Sequence, residues 1–377
     1  MKTYLRIAMT LILLSCLGDG KLLQTSAAVA AKPPAGKTRL AIVGLDHDHV
    51  WELLKYIGEE GDAELVAIAE PQAELVKKAK AQVPNSVKFY AEYIAMLDEA
   101  KPDAVIVTTE NDRHLEILRE CAKRHIHYST EKPMATNAAD AAEMQRLAKQ
   151  AGIKLMVNYW NAWVAPTNEL FHRVKDGQLG PVQRIIVQYG HQGPKEIGVS
   201  DFFAAWLYDP AKNGGGAIMD FGCYGAEWAL WLMGRPNGVM ATAKKLKLRQ
   251  HNQVDDDSTI VLDYPGGTAI IEASWDWPYS MGQVQVFGPR GSLLATRSDL
   301  FYRAADDAGA KAGLEGERVS LSALPRETSN PIAYFVDRIR NDRPIEDPLS
   351  PNLNVQVMEI LDAARESART GKEQMLH

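Results

Sequence analysis

Residues 38–49 read Thr-Arg-Leu-Ala-Ile-Val-Gly-Leu-Asp-His-Asp-His, and Val50, Leu53, Leu54 and Ile57 follow at helical spacing. The solid apolar run from Leu40 to Val43 is too short for a helix and reads as a strand buried on both faces. Gly44 breaks it, and the i, i+3, i+4, i+7 spacing then marks one face of a helix. The alternation recurs downstream. Apolar runs fall at 65–69, 104–108 and 154–157, while Ile117, Leu118 and Cys121, then Ala141, Met144, Leu147 and Ala148, mark helical faces between them. This repetition predicts a parallel sheet, because each parallel connection needs a crossover that a helix supplies. Residues 36–158 are therefore expected to form a doubly wound α/β domain with helices on both faces of the sheet.

After Tyr159 the texture changes. Strand-like segments lie at 182–189, 259–264, 268–275 and 283–287, punctuated by Pro265-Gly266-Gly267 and Gly288-Pro289-Arg290-Gly291. Such punctuation joins neighbouring strands as hairpins. Gln283 and Gln285 alternate with Val284 and Val286, so one face of that strand is polar. A second α+β domain over 159–377 is expected, with an open, mainly antiparallel sheet. Helices near 331–340 and 353–370 close it.

Upstream, residues 1–30 read as a targeting leader. Lys2 and Arg6 precede an apolar run from Ile7 to Leu17, and Ala28-Val29-Ala30 offers a small-x-small cleavage site. Leu13-Leu14-Ser15-Cys16 also resembles a lipidation box. Export is the expectation on either reading, to the periplasm or to a lipid anchor at the cell envelope. No later region has the ~20 apolar residues of a membrane span. The net charge of −6 offers no basic footprint for nucleic acid. Three cysteines, one of them in the leader, make no disulfide framework. Without Cys-x-x-Cys or His-Glu-x-x-His, no metal is expected.

A strand, a Gly-rich turn and a helix N-terminus together make an anion site. Of the Gly-x-Gly-x-x-Gly pattern that holds a dinucleotide pyrophosphate, only Gly44 is kept, and Asp46 stands where the second glycine belongs. A carboxylate ~5 Å from a phosphate charge, at an effective dielectric near 20, costs about 3 kcal/mol. His47 and His49 offer compensation, and the competing reading makes Asp46 or Asp48 a helix cap. Glu70, at the end of the second strand, lies somewhat beyond the usual ~20-residue spacing for the acid that accepts the ribose hydroxyls. An acid there favours NAD over NADP.

Three further stretches carry a resemblance. They are Val107-Thr108-Thr109-Glu110-Asn111, then Thr130-Glu131-Lys132-Pro133, then Gly214-Gly215-Gly216-Ala217-Ile218-Met219-Asp220-Phe221-Gly222-Cys223-Tyr224. In order and spacing the chain resembles the Gfo/Idh/MocA family of two-domain dehydrogenases, in the tyrosine subgroup similar to glucose–fructose oxidoreductase. The resemblance implies a Rossmann domain that binds NAD(H) or NADP(H), and with the turn and strand-end residues read above the expected cofactor contacts are Gly44, Asp46, His47, His49, Glu70, Thr109, Asn111, Glu131 and Lys132. It implies catalysis by Lys132, Asp220 and Tyr224, on a sugar or polyol, in a homo-oligomer. Family members often carry an arginine shortly before the proline corresponding to Pro166, whereas this chain has Asn158-Tyr159-Trp160-Asn161-Ala162-Trp163. Asn161 and Trp163 are taken as substrate contacts beside Asp220 and Tyr224, with buried packing as the alternative for the tryptophans.

Oxidising a secondary alcohol removes a proton while a hydride leaves the carbon. Asp220 and Tyr224, four apart, share a helix face. A phenol is a poor base near its ordinary pKa of ~10, and an ammonium beside it would lower that value. Lys132 is expected to be that ammonium. Two other functions stay open: a redox-neutral enzyme holding its NAD tightly, and an exported binding protein with a degraded cofactor site.

Overall fold

The computed structural model describes residues 36–247, 252–305 and 316–376; the leader lies outside them. The first half alternates as the apolar periods require: β1 (Thr38–Val43), α1 (Val50–Glu59), β2 (Ala63–Ala69), α2 (Ala73–Lys80), β3 (Lys88–Tyr90), α3 (Tyr93–Ala100), β4 (Ala104–Val107), α4 (His114–Lys123), β5 (His127–Glu131), α5 (Ala138–Ala151) and β6 (Leu155–Asn158). Its six strands pair in parallel in the order β3-β2-β1-β4-β5-β6. Residues 40–43 and 104–107 are buried throughout, as strands covered on both faces must be. The order reverses between β1 and β4, and a crevice opens at such a switch point outside the strands' carboxyl ends. Gly44 and Thr108 stand there.

The second half runs α6 (Ala165–Lys175), β7 (Arg184–Gly190), α7 (Asp201–Leu207), α8 (Pro210–Asn213), α9 (Ala217–Asp220), α10 (Gly222–Met233), β8 (Gly238–Lys244), β9 (Asp257–Tyr264), β10 (Gly267–Ser274), β11 (Met281–Gly288), β12 (Gly291–Ala295), β13 (Leu300–Ala304), β14 (Glu317–Arg318), α11 (Pro331–Arg340), α12 (Pro351–Thr370) and β15 (Gln374–Met375). Nine strands form an open sheet in the order β14-β13-β12-β11-β7-β10-β9-β8-β15. Every pair is antiparallel except β7 with β10. Helices α6, α10 and α12 pack on it. Side chains across β10, β7 and β11 are linked by hydrogen bonds, Gln188 Nε2 donating to Glu272 and Gln283 Nε2 to Gln188, each at 2.5 Å.

The closing helices depart from the expected division of the chain. Helix α11 packs on α1 and β1 of the first domain. The Val157 amide donates to the Leu349 carbonyl at 3.1 Å. An apolar helix face records that it is buried, not against which partner.

Candidate active site

Gly44 ends β1 with φ +83°, and a Cβ there would lie 2.4 Å from Thr109 Cγ2. The turn can therefore carry only glycine at this point. Neither Asp46 nor Asp48 caps α1. The N-cap position is His49, without a side-chain cap bond. Asp48 instead accepts from the Ser200 amide at 2.6 Å, tying the turn to the second domain. Asp46 is buried, and burial together with Glu110 and Glu70 pushes its carboxyl up to about 8. The expected charge penalty against a phosphate is thus met by a neutral acid, and Asp46 Oδ1 has no partner among the described residues.

Glu70 is also buried, accepting from the Leu45 amide at 2.7 Å and the Gln72 amide at 2.8 Å. With Gly44, Asp46, Thr109, Glu110 and Arg113 it lines a cavity of about 240 Å³ on the β2 side of the switch point. The next stretch of the crevice is bridged from α7 and α8. His47 packs against Phe203, the rings tilted with centroids 4.2 Å apart. Asn111 Nδ2 donates to Asn213 Oδ1 at 2.7 Å, and Lys212 pairs with Glu110 at 3.1 Å.

Beyond the bridge lies a cavity of about 580 Å³, walled by His49, Lys132, Trp160, Asn161, Tyr189, His191, Asp220 and Tyr224 among others. Lys132 leaves the end of β5 with its side chain buried. Its ammonium reaches Asp220 from the second domain, bonding Oδ1 and, at 3.0 Å, the carbonyl. Burial pushes Lys132 down, but the Asp220 carboxylate outweighs it and leaves the ammonium above its ordinary value. The same contact holds Asp220 below the usual carboxylate range against its burial. Trp275 Nε1 donates to Asp220 Oδ2 at 2.9 Å. The glycine run upstream makes this possible: a Cβ on Gly216 would meet the Asp255 carbonyl at 1.8 Å. Asp255 accepts from the Gly216 and Ile218 amides, fixing the start of α9.

Tyr224 corrects an expectation. Lys132 Nζ lies 5.2 Å from the centre of the phenol ring, and among the described residues its hydrogen bonds go to Asp220 rather than to the hydroxyl. The ring stacks on Tyr189 at 4.8 Å. Burial raises the phenol well above its ordinary value, which favours its neutral form.

Trp163 is also corrected. It lies away from the cavity, donating to Asn158 Oδ1 at 2.8 Å and packing on Tyr334. Trp160 faces the cavity in its stead. Asn161 lines the cavity with Oδ1 unpartnered, while its Nδ2 donates to Glu227 at 3.0 Å. Glu131 is buried and accepts from Asn158 Nδ2 at 2.6 Å.

The sequence reading missed three participants. His191 stands just after β7 on the cavity wall, pushed below its ordinary value by burial. Glu227 sits inside α10, and Trp275 follows β10. The one available signal was Glu227, a lone carboxylate in the apolar run 226–230. Another cavity, of about 490 Å³ beside Leu97, Lys101, Arg124 and His127, lies at the opposite end of the first sheet and holds none of these groups.

Residues 38–159 match the family model described as "Oxidoreductase family, NAD-binding Rossmann fold", and residues 167–294 match the "GFO/IDH/MocA C-terminal domain". The chain belongs to the GFO/IDH/MocA oxidoreductase family. Among its relatives is a D-xylose 1-dehydrogenase (NADP(+)) of Haloferax volcanii, 28% identical over 288 residues, which cover 75% of this chain and 83% of that one. A myo-inositol 2-dehydrogenase of Thermotoga maritima is 24% identical, covering 62% and 68%. Two solved structures share the fold. The aldose-aldose oxidoreductase of Caulobacter crescentus has a TM-score of 0.75 at 24% identity, covering 90% of this chain and 100% of that one. The WlbA dehydrogenase of Bordetella pertussis, in complex with NADH and UDP-GlcNAcA, has a TM-score of 0.76 at 22% identity, covering 91% and 99%.

As a GFO/IDH/MocA oxidoreductase the chain needs room for a nicotinamide dinucleotide, and its residues fit one. The glycine turn, the buried acid at the β2 end and the unpartnered Asp46 oxygen lie on one side of the bridge, and the Lys132–Asp220 pair on the other. Among the described residues no helix is long and apolar enough to cross a membrane.

Proposed function

We propose that this oxidoreductase moves a hydride between NAD and a secondary alcohol of a sugar or polyol, with Lys132 and Asp220 handling the proton. The observation that carries the reading is the Lys132–Asp220 pair, buried on the wall of a 580 Å³ cavity at the end of a Rossmann strand. The bound nicotinamide would supply the hydride acceptor or donor. An ammonium has three N–H donors. Two go to Asp220, and the third is left for the substrate oxygen. As an ammonium, Nζ gives a proton to that oxygen when a carbonyl is reduced; in the reverse direction it is the neutral amine form of Lys132 that takes the proton when an alcohol is oxidised. Asp220, steadied by Trp275, keeps Nζ in place, and Asn161 Oδ1 is an acceptor for a neighbouring hydroxyl. The xylose and inositol activities named for two relatives support a sugar or polyol substrate.

Glu70 supports NAD over NADP, since a 2′-phosphate would meet its carboxylate. The test is a panel of sugars and polyols followed at the reduced-cofactor absorbance with each dinucleotide. No turnover on any of them, with no melting shift on adding NAD, refutes the reading.

One observation favours a second reading, redox-neutral turnover with a retained cofactor: the crevice is bridged at Asn111–Asn213, Glu110–Lys212 and Asp48–Ser200. Denaturing freshly purified protein and assaying the supernatant for released dinucleotide separates the two. Export through the leader belongs to the same reading, and cell fractionation tests it. Self-association through the polar face of the nine-stranded sheet does too, and sedimentation at two protein concentrations tests that.

A further inference from the structure

His47, His49 and Glu131 stand in the sequence reading as cofactor contacts, yet their geometry is of another kind. A ring nitrogen of each histidine and a carboxylate oxygen of Glu131 lie within 4.8 Å of one another. His49 Nδ1 is 2.9 Å from Glu131 Oε2 and 2.6 Å from Trp160 Nε1, and that indole nitrogen is 3.3 Å from the same Glu131 oxygen. With Glu131 as a carboxylate, no placement of protons satisfies all three contacts. If Nδ1 accepts from the indole, two lone pairs face each other across 2.9 Å. If Nδ1 carries a proton for Glu131, two N–H groups meet across 2.6 Å. A cation between Nδ1 and the carboxylate removes the conflict by taking both lone pairs.

We propose that His47, His49 and Glu131 bind a six-coordinate divalent transition-metal ion on the wall of the main cavity. With ligand bonds of about 2.1 Å, neighbouring donors in an octahedron are about 3.0 Å apart and those in a tetrahedron about 3.4 Å. The 2.9 Å between Nδ1 and Oε2 matches an octahedral edge, and the other donors, now within 4.8 Å, need to draw in to no more than about 4.2 Å, twice the bond length. Two imidazoles and one carboxylate select a first-row ion of the manganese-to-nickel range over magnesium or calcium, which prefer oxygen.

The surroundings suit a metal. His47 is buried, and its Nδ1 faces the His49 amide only at a long 3.3 Å. Asn158 Nδ2 holds the other Glu131 oxygen at 2.6 Å, the outer support a carboxylate ligand needs. His49 is about one-third exposed, its side chain at 34%, and lines the cavity, which leaves the remaining coordination positions reachable from it. Neither histidine belongs to a His-Glu-x-x-His helix, which is why the sequence motifs did not show the site.

The test is titration of untagged, chelator-stripped full-length protein with cobalt(II), read by d–d absorption and by melting temperature. One equivalent with the weak bands of a six-coordinate ion is expected, together with loss of that equivalent in His49→Ala and in Glu131→Gln. Failure of the wild type to take up cobalt overturns the proposal, and so does undiminished binding by both variants. Should the variants not fold, Trp160→Phe decides. Removing the N–H that competes for Nδ1 should tighten cobalt three- to tenfold, the worth of one hydrogen bond, and unchanged affinity overturns the proposal. Neither readout depends on a bound dinucleotide.

Discussion

Replacing Glu227 by glutamine should make the protein more stable in alkali than the wild type and leave it nearly unchanged in acid. Glu227 is fully buried in α10, with one oxygen bonded to Asn161 at 3.0 Å and the other unpartnered. Burial pushes its carboxyl from 4.5 up to about 8. Between those values the folded chain keeps a proton that the unfolded chain has released, so stability falls as pH rises through the window and levels off above it. At about 1.4 kcal/mol per pH unit the full window amounts to several kcal/mol, on the order of 5 as an upper figure. Glutamine keeps a carbonyl for Asn161 and does not titrate. Urea unfolding of both proteins at several pH values from 5 to 9 measures the difference directly. The gap should be near zero at pH 5, open steadily and flatten by pH 9. Parallel stability curves would show that Glu227 is ionised and paired with something the geometry does not reveal.

Lys132→Met should lower turnover by about 10²–10⁴, the usual worth of a positioned proton donor, while NAD still raises the melting temperature; a loss confined to cofactor binding contradicts the assignment. Tyr224→Phe should keep activity within about tenfold, because the proton is assigned to Lys132 and the phenol is left at most a hydrogen bond, and a fall of orders of magnitude restores the tyrosine to the proton transfer. Glu70→Ser should narrow the preference for NAD over NADP in initial-rate assays, and an unaltered ratio places cofactor choice elsewhere. Gly44→Ala should cost about 2–3 kcal/mol, since its Cβ meets Thr109 and its φ is positive; a melting temperature equal to the wild type's would mean that the turn relaxes.

The first sheet was legible because each strand and helix carries its own period, and a run such as Ala104–Val107 needs no distant partner to declare itself. The convergence of Lys132 with Asp220 was legible only through the family resemblance that their motifs carry. The charge state of Tyr224 was not, because it turns on where the ammonium spends its hydrogen bonds and on how deeply the ring lies. Glu227 and Trp275 escaped for a related reason: a buried polar group is recognised by its partner, and both partners are distant in sequence. Helix α11 showed its length and its apolar face, but which sheet would receive that face was decided by the return path of the chain.

Helix α12 packs on α5 and β6 of the first domain as well as on α10 and β8 of the second. Its Asp362 accepts from the Ala138 amide at 2.9 Å, and its Arg365 holds the carbonyls of Thr136 and Gly214 together. A rod riveted to both halves leaves little freedom for them to swing like jaws. Entry and exit of small molecules then fall to shorter-range motion, in the residue 194–213 stretch that reaches across to Asp48, and the rate of that motion rather than a wide opening would set how fast the cleft exchanges its contents.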